Sequence, residues 1–292
     1  GVVPAMSVAV KALTMPGEKV LILSPDYNCF FSSIRNNGCE VLETVLLREG
    51  LSFVVDWEDF SRKCADEKTT VFLLCNPHNP TGRVWTADEL ERMNNICMEN
   101  DVKVVSDEIH CELIMPGHVF QPFAAVSESC RMNSVVLNSP SKSFNIAGLQ
   151  TANIVCAQPE WRRRLNRAIN INELCDLNPF GPVALMAAYN ESEAWIDQLN
   201  IYLWGNFCAL CNFFSAHLPL LTVCRLEGTY LVWVDVSAVG IPVDQLADRL
   251  MSDGRVWVNP GTMYGPESGQ GYIRINIACP RAQLMEGLRR MA

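Results

Sequence analysis

The chain has 292 residues, of which 49% are hydrophobic and 19% are charged, and its formal net charge is -9. This composition is typical of a globular protein, and the apolar runs fall short of the ~18 residues that a membrane span requires, so a disordered or membrane-spanning chain is not expected. The negative charge disfavours a nucleic-acid partner, because phosphate contacts require a basic surface.

The first segment, "GVVPAMSVAVKAL", has a helical pattern with no initiator methionine and no targeting signal. We therefore expect the chain to be the remainder of a longer protein whose N-terminal segment is missing. After it, short β-branched runs alternate with segments whose apolar residues recur about every 3.6 positions. This alternation predicts an α/β fold with a mainly parallel sheet flanked by helices. The predicted strands are 19–23, 39–45, 69–75, 102–108, 134–138 and 152–157.

The clearest predicted helix is "TADELERMNNICMEN", in which Thr86 can cap the N-terminus and Glu89 can complete a capping box. From about Ala187 the pattern changes to one long helical stretch, followed by three strand-like and two helical segments. We expect a second, smaller α+β domain here. The predicted division is a large domain over residues 1–190 and a small C-terminal domain over 191–292.

Polar clusters follow three of the predicted strands. "NPHNPTG" comes after "VFLLC", "DEIH" after "VKVVS", and "SPSK" after "VVLN". Because ligands of parallel α/β sheets bind beyond the carboxyl ends of the strands, these clusters are expected to meet in one crevice.

Lys142, in "SPSK", is the first candidate catalytic residue. Most lysines are solvated surface groups, but an amine held at a strand exit can be made nucleophilic by desolvation and used for Schiff-base chemistry with a carbonyl. Pyridoxal phosphate is the obvious carbonyl cofactor. It also requires a carboxylate at its pyridine nitrogen, donors for its phosphate, a partner for its phenolic oxygen and an aromatic face.

Four residues at the strand exits match these requirements, and each also has an ordinary structural interpretation. Asp107 is a candidate counter-ion for the pyridine nitrogen or a helix cap. Asn79 can present its amide to the phenolic oxygen, although Asn-Pro and Thr-Gly are also turn signals. His110 is placed near the same oxygen or is a buried histidine, and Tyr27 stacks on the ring or belongs to the core.

The phosphate and the substrate have weaker candidates. Ser139 and Ser141 offer hydroxyl donors, and the backbone amides of Val2 and Val3 can point at an anion from a helix N-terminus. Arg274 lies among isoleucines in the predicted strand "GYIRINIA", where a substrate carboxylate or a structural salt bridge would give it a partner.

The 13 cysteines are scattered, with one close pair at Cys208 and Cys211. The four histidines supply no second ligand pair at suitable spacing, so a zinc site is not expected. The pattern is typical of reduced cysteines in a cytoplasmic protein.

Together, "CNPHNPTGRVW", "SDEIH", "SPSKSFNIAGLQ" and "RINIACPR" resemble motifs of the fold-type I pyridoxal-phosphate enzymes in the class I/II aminotransferase superfamily. They are most similar to its cystathionine β-lyase branch, and the likeness extends over essentially the whole chain. The resemblance implies a seven-stranded-type sheet in the large domain, pyridoxal 5'-phosphate as cofactor and a homodimer. In this family an N-terminal segment helps to close the active site and form the dimer, and we expect that segment to be missing from this sequence.

The resemblance also implies residue roles. Lys142 would bind the cofactor covalently, Asp107 would pair with the pyridine nitrogen, and Arg274 would hold the substrate α-carboxylate. Asn79, with His110 beside it, would contact the phenolic oxygen; Tyr27 would stack on the ring; and Ser139, Ser141, Val2 and Val3 would lie near the phosphate.

Gln150 stands eight residues after Lys142, where many aminotransferases have arginine. This departure weakens phosphate neutralisation and favours the lyase branch. The leading hypothesis is β-elimination on L-cystathionine or a related cysteine S-conjugate, giving thiol, pyruvate and ammonia. An aminotransferase and a catalytically silent regulatory relative are the alternatives.

Overall fold

The computed structural model describes residues 1–292. A six-stranded sheet forms the centre of the N-terminal part, in the order β2-β1-β5-β6-β7-β8. Its strands are β1 (Lys19–Ser24), β2 (Glu40–Val45), β5 (Thr69–Cys75), β6 (Lys103–Asp107), β7 (Ser134–Asn138) and β8 (Asn153–Cys156). Between β2 and β5 in the sequence, β3 (Leu47–Glu49) and β4 (Ser52–Val54) form a separate short hairpin.

The prediction of a mainly parallel sheet is confirmed. Strands β2, β1, β5, β6 and β7 pair in parallel, and β8 alone runs antiparallel, against β7. All six strands coincide with the predicted β-branched runs. The expected count of seven was wrong for this chain, because these residues supply six segments that pair in the sheet.

Seven helices accompany this sheet: α1 (Val2–Leu13), α2 (Asn28–Asn36), α3 (Trp57–Cys64), α4 (Ala87–Glu99), α5 (Phe123–Val126), α6 (Glu128–Met132) and α7 (Pro159–Ile171). Alternate strand residues pack on opposite faces. Val20 and Ile22 belong to one core cluster with α1, α2 and α7, whereas Leu21 and Leu23 belong to another with α3 and α4. Both faces are therefore buried, which explains why the strands are continuous apolar runs.

The capping box predicted for α4 is present. Glu89 donates its backbone N–H to Thr86 Oγ1 at 3.2 Å, and its carboxylate accepts the backbone N–H of Thr86 at 2.9 Å. These two bonds satisfy donors that the first helical turn leaves without partners.

The C-terminal part contains α8 (Phe180–Glu191), α9 (Glu193–His217), α10 (Val243–Ser252) and α11 (Arg281–Met291). Its four-stranded antiparallel sheet has the order β11-β12-β10-β9, formed by β9 (Thr222–Val223), β10 (Leu231–Asp235), β11 (Asn259–Pro260) and β12 (Tyr272–Asn276). Short 3-10 helices cover Ala147–Leu149, Ser237–Val239 and Gly261–Tyr264. None of the helices combines the length and apolar character that crossing a membrane requires.

The single long helix predicted from Ala187 is interrupted at Ser192, which separates α8 from α9. Ser192 has φ -121° and ψ 25°, and its hydroxyl donates to the carbonyl of Ala187 at 3.2 Å. A serine that bonds to nearby backbone competes with the helical ladder, which accounts for the break. The domain boundary near residue 190 stays a prediction.

A buried ion pair ties the "NPHNPTGRVW" loop to the segment before β10. Arg83 Nε lies 3.2 Å from Glu227 Oε2, and the same carboxylate accepts the backbone N–H of Val84 at 2.9 Å. Gly228 packs against this loop so closely that a Cβ there would lie 2.8 Å from Val84 Cγ2. The loop after β5 and the strand β10 are thus held together.

We expect Glu227→Ala to lower the free energy of unfolding by about 2 kcal/mol, because it leaves the buried N–H of Val84 without an acceptor, whereas Arg83 keeps its ion pair with Glu89. Urea denaturation measures this loss. Glu286→Ala is the matched control: its carboxylate is half exposed, so removal of its ion pairs should cost at most about 1 kcal/mol. Equal losses in the two variants would contradict the importance of the buried pair.

Candidate active site

A cavity of about 380 Å³ opens at the carboxyl ends of β5 and β6, beside the loop that follows β7. It brings together nine of the ten residues singled out from the sequence: Val2, Val3, Tyr27, Asn79, Asp107, His110, Ser141, Lys142 and Arg274. These residues come from segments up to 272 positions apart, between Val2 and Arg274. The polar clusters that follow the strands therefore meet in one cavity, as the sequence predicts.

Asp107 is the last residue of β6, and only 3% of it is exposed. Its Oδ1 accepts the backbone N–H of Ile109 at 3.1 Å. Burial raises the pKa of this carboxyl to about 7, although the Ile109 N–H and the charge of Lys142 act in the opposite direction. A carboxylate in this environment is a strong partner for a cationic group placed in the cavity.

Lys142 follows β7 in a loop that is anchored on both sides. The hydroxyl of Ser143 donates to Glu112 Oε2 at 2.6 Å, and the indole N–H of Trp195 donates to the Ser143 carbonyl at 3.0 Å. The Lys142 amine itself makes no hydrogen bond to a protein acceptor, and Lys142 lines the cavity. The chain thus fixes the backbone around an amine that remains free to react.

Arg274 extends from β12 across the cavity towards the large sheet. Its Nη1 donates to Asn79 Oδ1 at 2.9 Å, and its guanidinium lies 4.5 Å from the centre of the Tyr264 ring. No carboxylate of the chain lies within 4.0 Å of the Arg274 guanidinium. The structure therefore does not support a structural salt bridge for this mid-strand arginine. Burial lowers its pKa. Its remaining donors are available for an anionic ligand.

His110 is buried, and its Nδ1 has no hydrogen-bond partner. Its ring meets that of Tyr230 edge-on, with the centroids 5.7 Å apart. Burial lowers the pKa of His110 to about 3, and the charges of Lys142 and Arg274 lower it further. The imidazole is therefore neutral at physiological pH, with an unsatisfied nitrogen beside the cavity.

Tyr27 immediately precedes α2 and contributes a half-buried aromatic side chain to the cavity wall. Its ring packs edge-on against Phe30, with the centroids 6.2 Å apart, and burial raises the pKa of its hydroxyl. The interpretations as a core residue and as a ring-stacking residue are therefore compatible, since one edge is packed while the residue lines the cavity.

The N-terminus of α1 borders the cavity, where the amides of Val2 and Val3 have no intrahelical acceptor. Such a helix end attracts anions. Ser141 and Gln150 also line this end of the cavity. Ser139 differs: its hydroxyl donates to the Thr151 carbonyl at 2.5 Å and accepts the Ser141 N–H at 3.1 Å, and it is absent from the lining. Its predicted phosphate contact stays a prediction.

Several lining residues were not identified from the sequence, among them Cys75, Ile109, Tyr230 and Asn276. Cys75 ends β5 directly before "NPHNPTG", so its position at a strand exit was an available signal. Tyr230 precedes β10 and faces His110, a pairing that depends on how the second sheet packs on the first. Local sequence does not encode that packing.

The comparisons with known proteins agree with this geometry. The family model described as "Aminotransferase class I and II" matches residues 1–291. This chain belongs to the class I and II aminotransferase family. The predicted family is thereby confirmed, and the strand pairing confirms the predicted α/β fold class with a mainly parallel sheet flanked by helices.

Within the family, the chain is similar to proteins named as carbon-sulfur lyases. It is 40% identical to cystathionine beta-lyase PatB of Bacillus subtilis over 291 residues, which cover 100% of this chain and 75% of the relative. Cystalysin of Treponema denticola, whose crystal structure contains pyridoxal 5'-phosphate, superposes with a TM-score of 0.97 at 32% identity, covering 99% of this chain and 73% of that one. The pyridoxal-phosphate-bound C-S lyase of Staphylococcus hominis gives 0.91 at 32% identity, with coverages of 99% and 75%.

Proposed function

We propose that this class I and II aminotransferase family member is a pyridoxal-phosphate-dependent carbon-sulfur β-lyase. It cleaves L-cystathionine or related cysteine S-conjugates to a thiol, pyruvate and ammonia. The observation that carries the proposal is the meeting of Lys142, Asp107 and Arg274 in one cavity. The 40% identity to cystathionine beta-lyase PatB across the whole chain supports the choice of reaction.

The chemistry of the cavity fits pyridoxal phosphate. A buried carboxylate at Asp107 matches a protonated ring nitrogen, the unpaired Nδ1 of His110 and the amide of Asn79 match an oxygen substituent, and Tyr27 offers an aromatic face. The N-terminus of α1 matches a phosphate. Lys142 supplies the amine that condenses with an aldehyde.

Each residue then has a definite task. Asp107 would hold the positive charge of the ring nitrogen, and Asn79 would donate its amide N–H to the phenolic oxygen, with His110 beside it. The amides of Val2 and Val3, with the hydroxyl of Ser141, would hold the phosphate.

When bound, pyridoxal phosphate supplies a carbonyl that condenses with amines and a ring that withdraws electrons from the substrate Cα. Arg274 would orient the α-carboxylate, and the released Lys142 amine would take the proton from Cα as general base. The electron pair left on Cα then forms the Cα=Cβ double bond as the Cβ–S bond breaks, so the sulfur leaves as a thiolate and takes up a proton to give the thiol. Addition of water to the released three-carbon enamine gives pyruvate and ammonia.

The proposal is tested by incubating the cofactor-loaded protein with L-cystathionine and no keto acid, and measuring pyruvate and free thiol. A lyase releases both. An aminotransferase uses the same residues up to the loss of the Cα proton but releases neither product catalytically under these conditions. A catalytically silent relative would also release neither product. In addition, it would not show the visible absorbance band that an enzyme of this type shows and that Lys142→Ala removes.

Arg274→Lys is expected to raise the KM for the substrate about 10- to 100-fold with a smaller effect on kcat, because a lysine cannot donate two parallel hydrogen bonds to a carboxylate. Steady-state kinetics with L-cystathionine measures both constants. Arg131→Lys, at an exposed arginine of α6, is the matched control and should behave as the unmodified protein does. A purely structural role for Arg274 would instead lower stability while leaving the KM unchanged.

We also propose a cytoplasmic homodimer. The segment from α7 through α8 exposes large apolar side chains, including Ile171, Phe180, Val183 and Met186, which are 54% to 72% exposed. An apolar surface of this kind is typical of a subunit interface. The 13 free cysteines are consistent with a reducing compartment. Light scattering that detects only monomer would contradict the dimer.

A further inference from the structure

A second cavity, which we call the distal cavity, adjoins the candidate active site. It has a volume of about 560 Å³ and shares Lys142, Tyr230 and Asn276 with the first cavity. Its remaining walls come from α9, from the loop after Lys142 and from residues 278–280 beyond β12. A ligand bound at Lys142 can therefore extend from one cavity into the other.

The two cavities differ in charge. The first contains Asp107 and Arg274, whereas Lys142 is the only residue of the Asp, Glu, Lys, Arg or His type that lines the distal cavity. Arg281 donates its backbone N–H to the Tyr202 hydroxyl and its guanidinium Nε–H to Asn206 Oδ1, but it does not line the cavity. A charged group in the distal cavity would therefore have no oppositely charged side chain as a partner except through Lys142.

Apolar and aromatic side chains of α9 form much of the distal cavity. Trp195 is 52% exposed and Tyr202 is 44% exposed, and Leu199 and Leu203 lie on the same helix. The indole N–H of Trp195 is fixed on the Ser143 carbonyl at 3.0 Å. A concave surface of this composition, with a few amide groups at its edges, is suited to a neutral apolar or aromatic group.

We infer that the distal cavity binds the leaving-group side of the substrate and selects cysteine S-conjugates with a neutral apolar or aromatic substituent over L-cystathionine. This inference rests on the proposed carbon-sulfur lyase function. The amino-acid end of the substrate belongs with Lys142 and Arg274. The far end of L-cystathionine carries an ammonium and a carboxylate, for which the distal cavity offers amide and hydroxyl groups but no charged partner beyond Lys142, whereas a benzyl group has aromatic and leucine neighbours.

Binding tests the inference independently of catalysis. Two ligands are compared by calorimetry on the cofactor-loaded protein: the sulfur-free analogues of S-benzyl-L-cysteine and of L-cystathionine, in which a methylene replaces the thioether so that no thiol can leave. The benzyl analogue is expected to bind at least tenfold more tightly. Equal affinities, or tighter binding of the cystathionine analogue, would overturn the inference.

Leu199→Arg supplies the missing cation and should reduce the affinity ratio of the two analogues at least tenfold. Leu220→Arg makes the same change at a leucine that is 77% exposed and outside both cavities, and it should preserve the ratio. Should Leu199→Arg fail to fold, Trp195→Ala must lower the affinity for the benzyl analogue, and an unchanged affinity refutes the inference. Pyruvate release from S-benzyl-L-cysteine and L-cystathionine is measured in parallel, so that absence of lyase activity is distinguished from a wrong assignment of the cavity.

Discussion

Replacing Lys142 with alanine is expected to lower the rate of pyruvate release at least about a thousandfold, because the variant loses both the covalent anchor of the cofactor and the base that takes the Cα proton. Lys142 is the lysine that lines the candidate active site, so no other lysine can replace it there. A continuous pyruvate assay measures the loss.

The same variant has a readout that does not depend on turnover. Borohydride reduction of the cofactor-loaded protein should attach the cofactor mass to the peptide that contains Lys142, and Lys142→Ala should carry none. Lys68→Ala, at an exposed lysine before β5, serves as the control and should keep both labelling and activity. Labelling at another lysine, or activity that survives in Lys142→Ala, would refute the assignment.

Asp107→Asn is expected to weaken cofactor binding and to reduce kcat, each about a hundredfold or more. Removal of one partner from a buried charge pair costs roughly 2–5 kcal/mol. An asparagine at this position still accepts a hydrogen bond but supplies no negative charge to the ring nitrogen. Cofactor titration followed by fluorescence, together with the pyruvate assay, measures both effects. Asp253→Asn, at an exposed aspartate after α10, should alter neither quantity.

The cofactor-free protein provides a second test of Asp107. Its carboxyl has a pKa of about 7 in the folded state, raised by burial from an ordinary value of 3.8. Between these values the folded protein holds a proton that the unfolded chain has lost, so the stabilising contribution is complete below about pH 4 and is lost as the pH rises to about 7.

Asp107→Asn should therefore reduce the fall in the free energy of unfolding over this pH range by roughly 4 kcal/mol, a figure that follows from the pKa difference. Urea denaturation at a series of pH values measures it. Glu108 also has a pKa raised by burial to about 7, so part of the fall persists in the variant. An unchanged pH dependence would mean that Asp107 is not a buried acid.

The elements that were predicted correctly are those with strong local signals. Strands β1, β5 and β6 are apolar runs buried on both faces, and the box at Thr86 and Glu89 defines the start of α4. Asp107 and Lys142 were singled out as candidates because Asp107 ends β6 and Lys142 lies in the loop that follows β7. Parallel pairing then brings their side chains to one edge of the sheet without further information.

Other features depend on contacts that a local pattern does not contain. The break at Ser192 arises from one side-chain hydrogen bond within an otherwise helical pattern. The hydrogen bond that the Ser139 hydroxyl donates to the Thr151 carbonyl joins residues 12 positions apart. The approach of Tyr230 to His110 and the distal cavity both result from the packing of α9 and β10 on the large sheet, over long separations in sequence.

The most direct test of the proposed function is the number of pyruvate molecules formed per active site when cofactor-loaded protein acts on L-cystathionine without any keto acid. Elimination regenerates the starting protein in every cycle, so pyruvate and thiol should accumulate in equal amounts far beyond one equivalent per site. An aminotransferase would instead release no pyruvate and form only about one equivalent of a keto-acid product per site until a keto acid is added. That result would contradict the proposed lyase function.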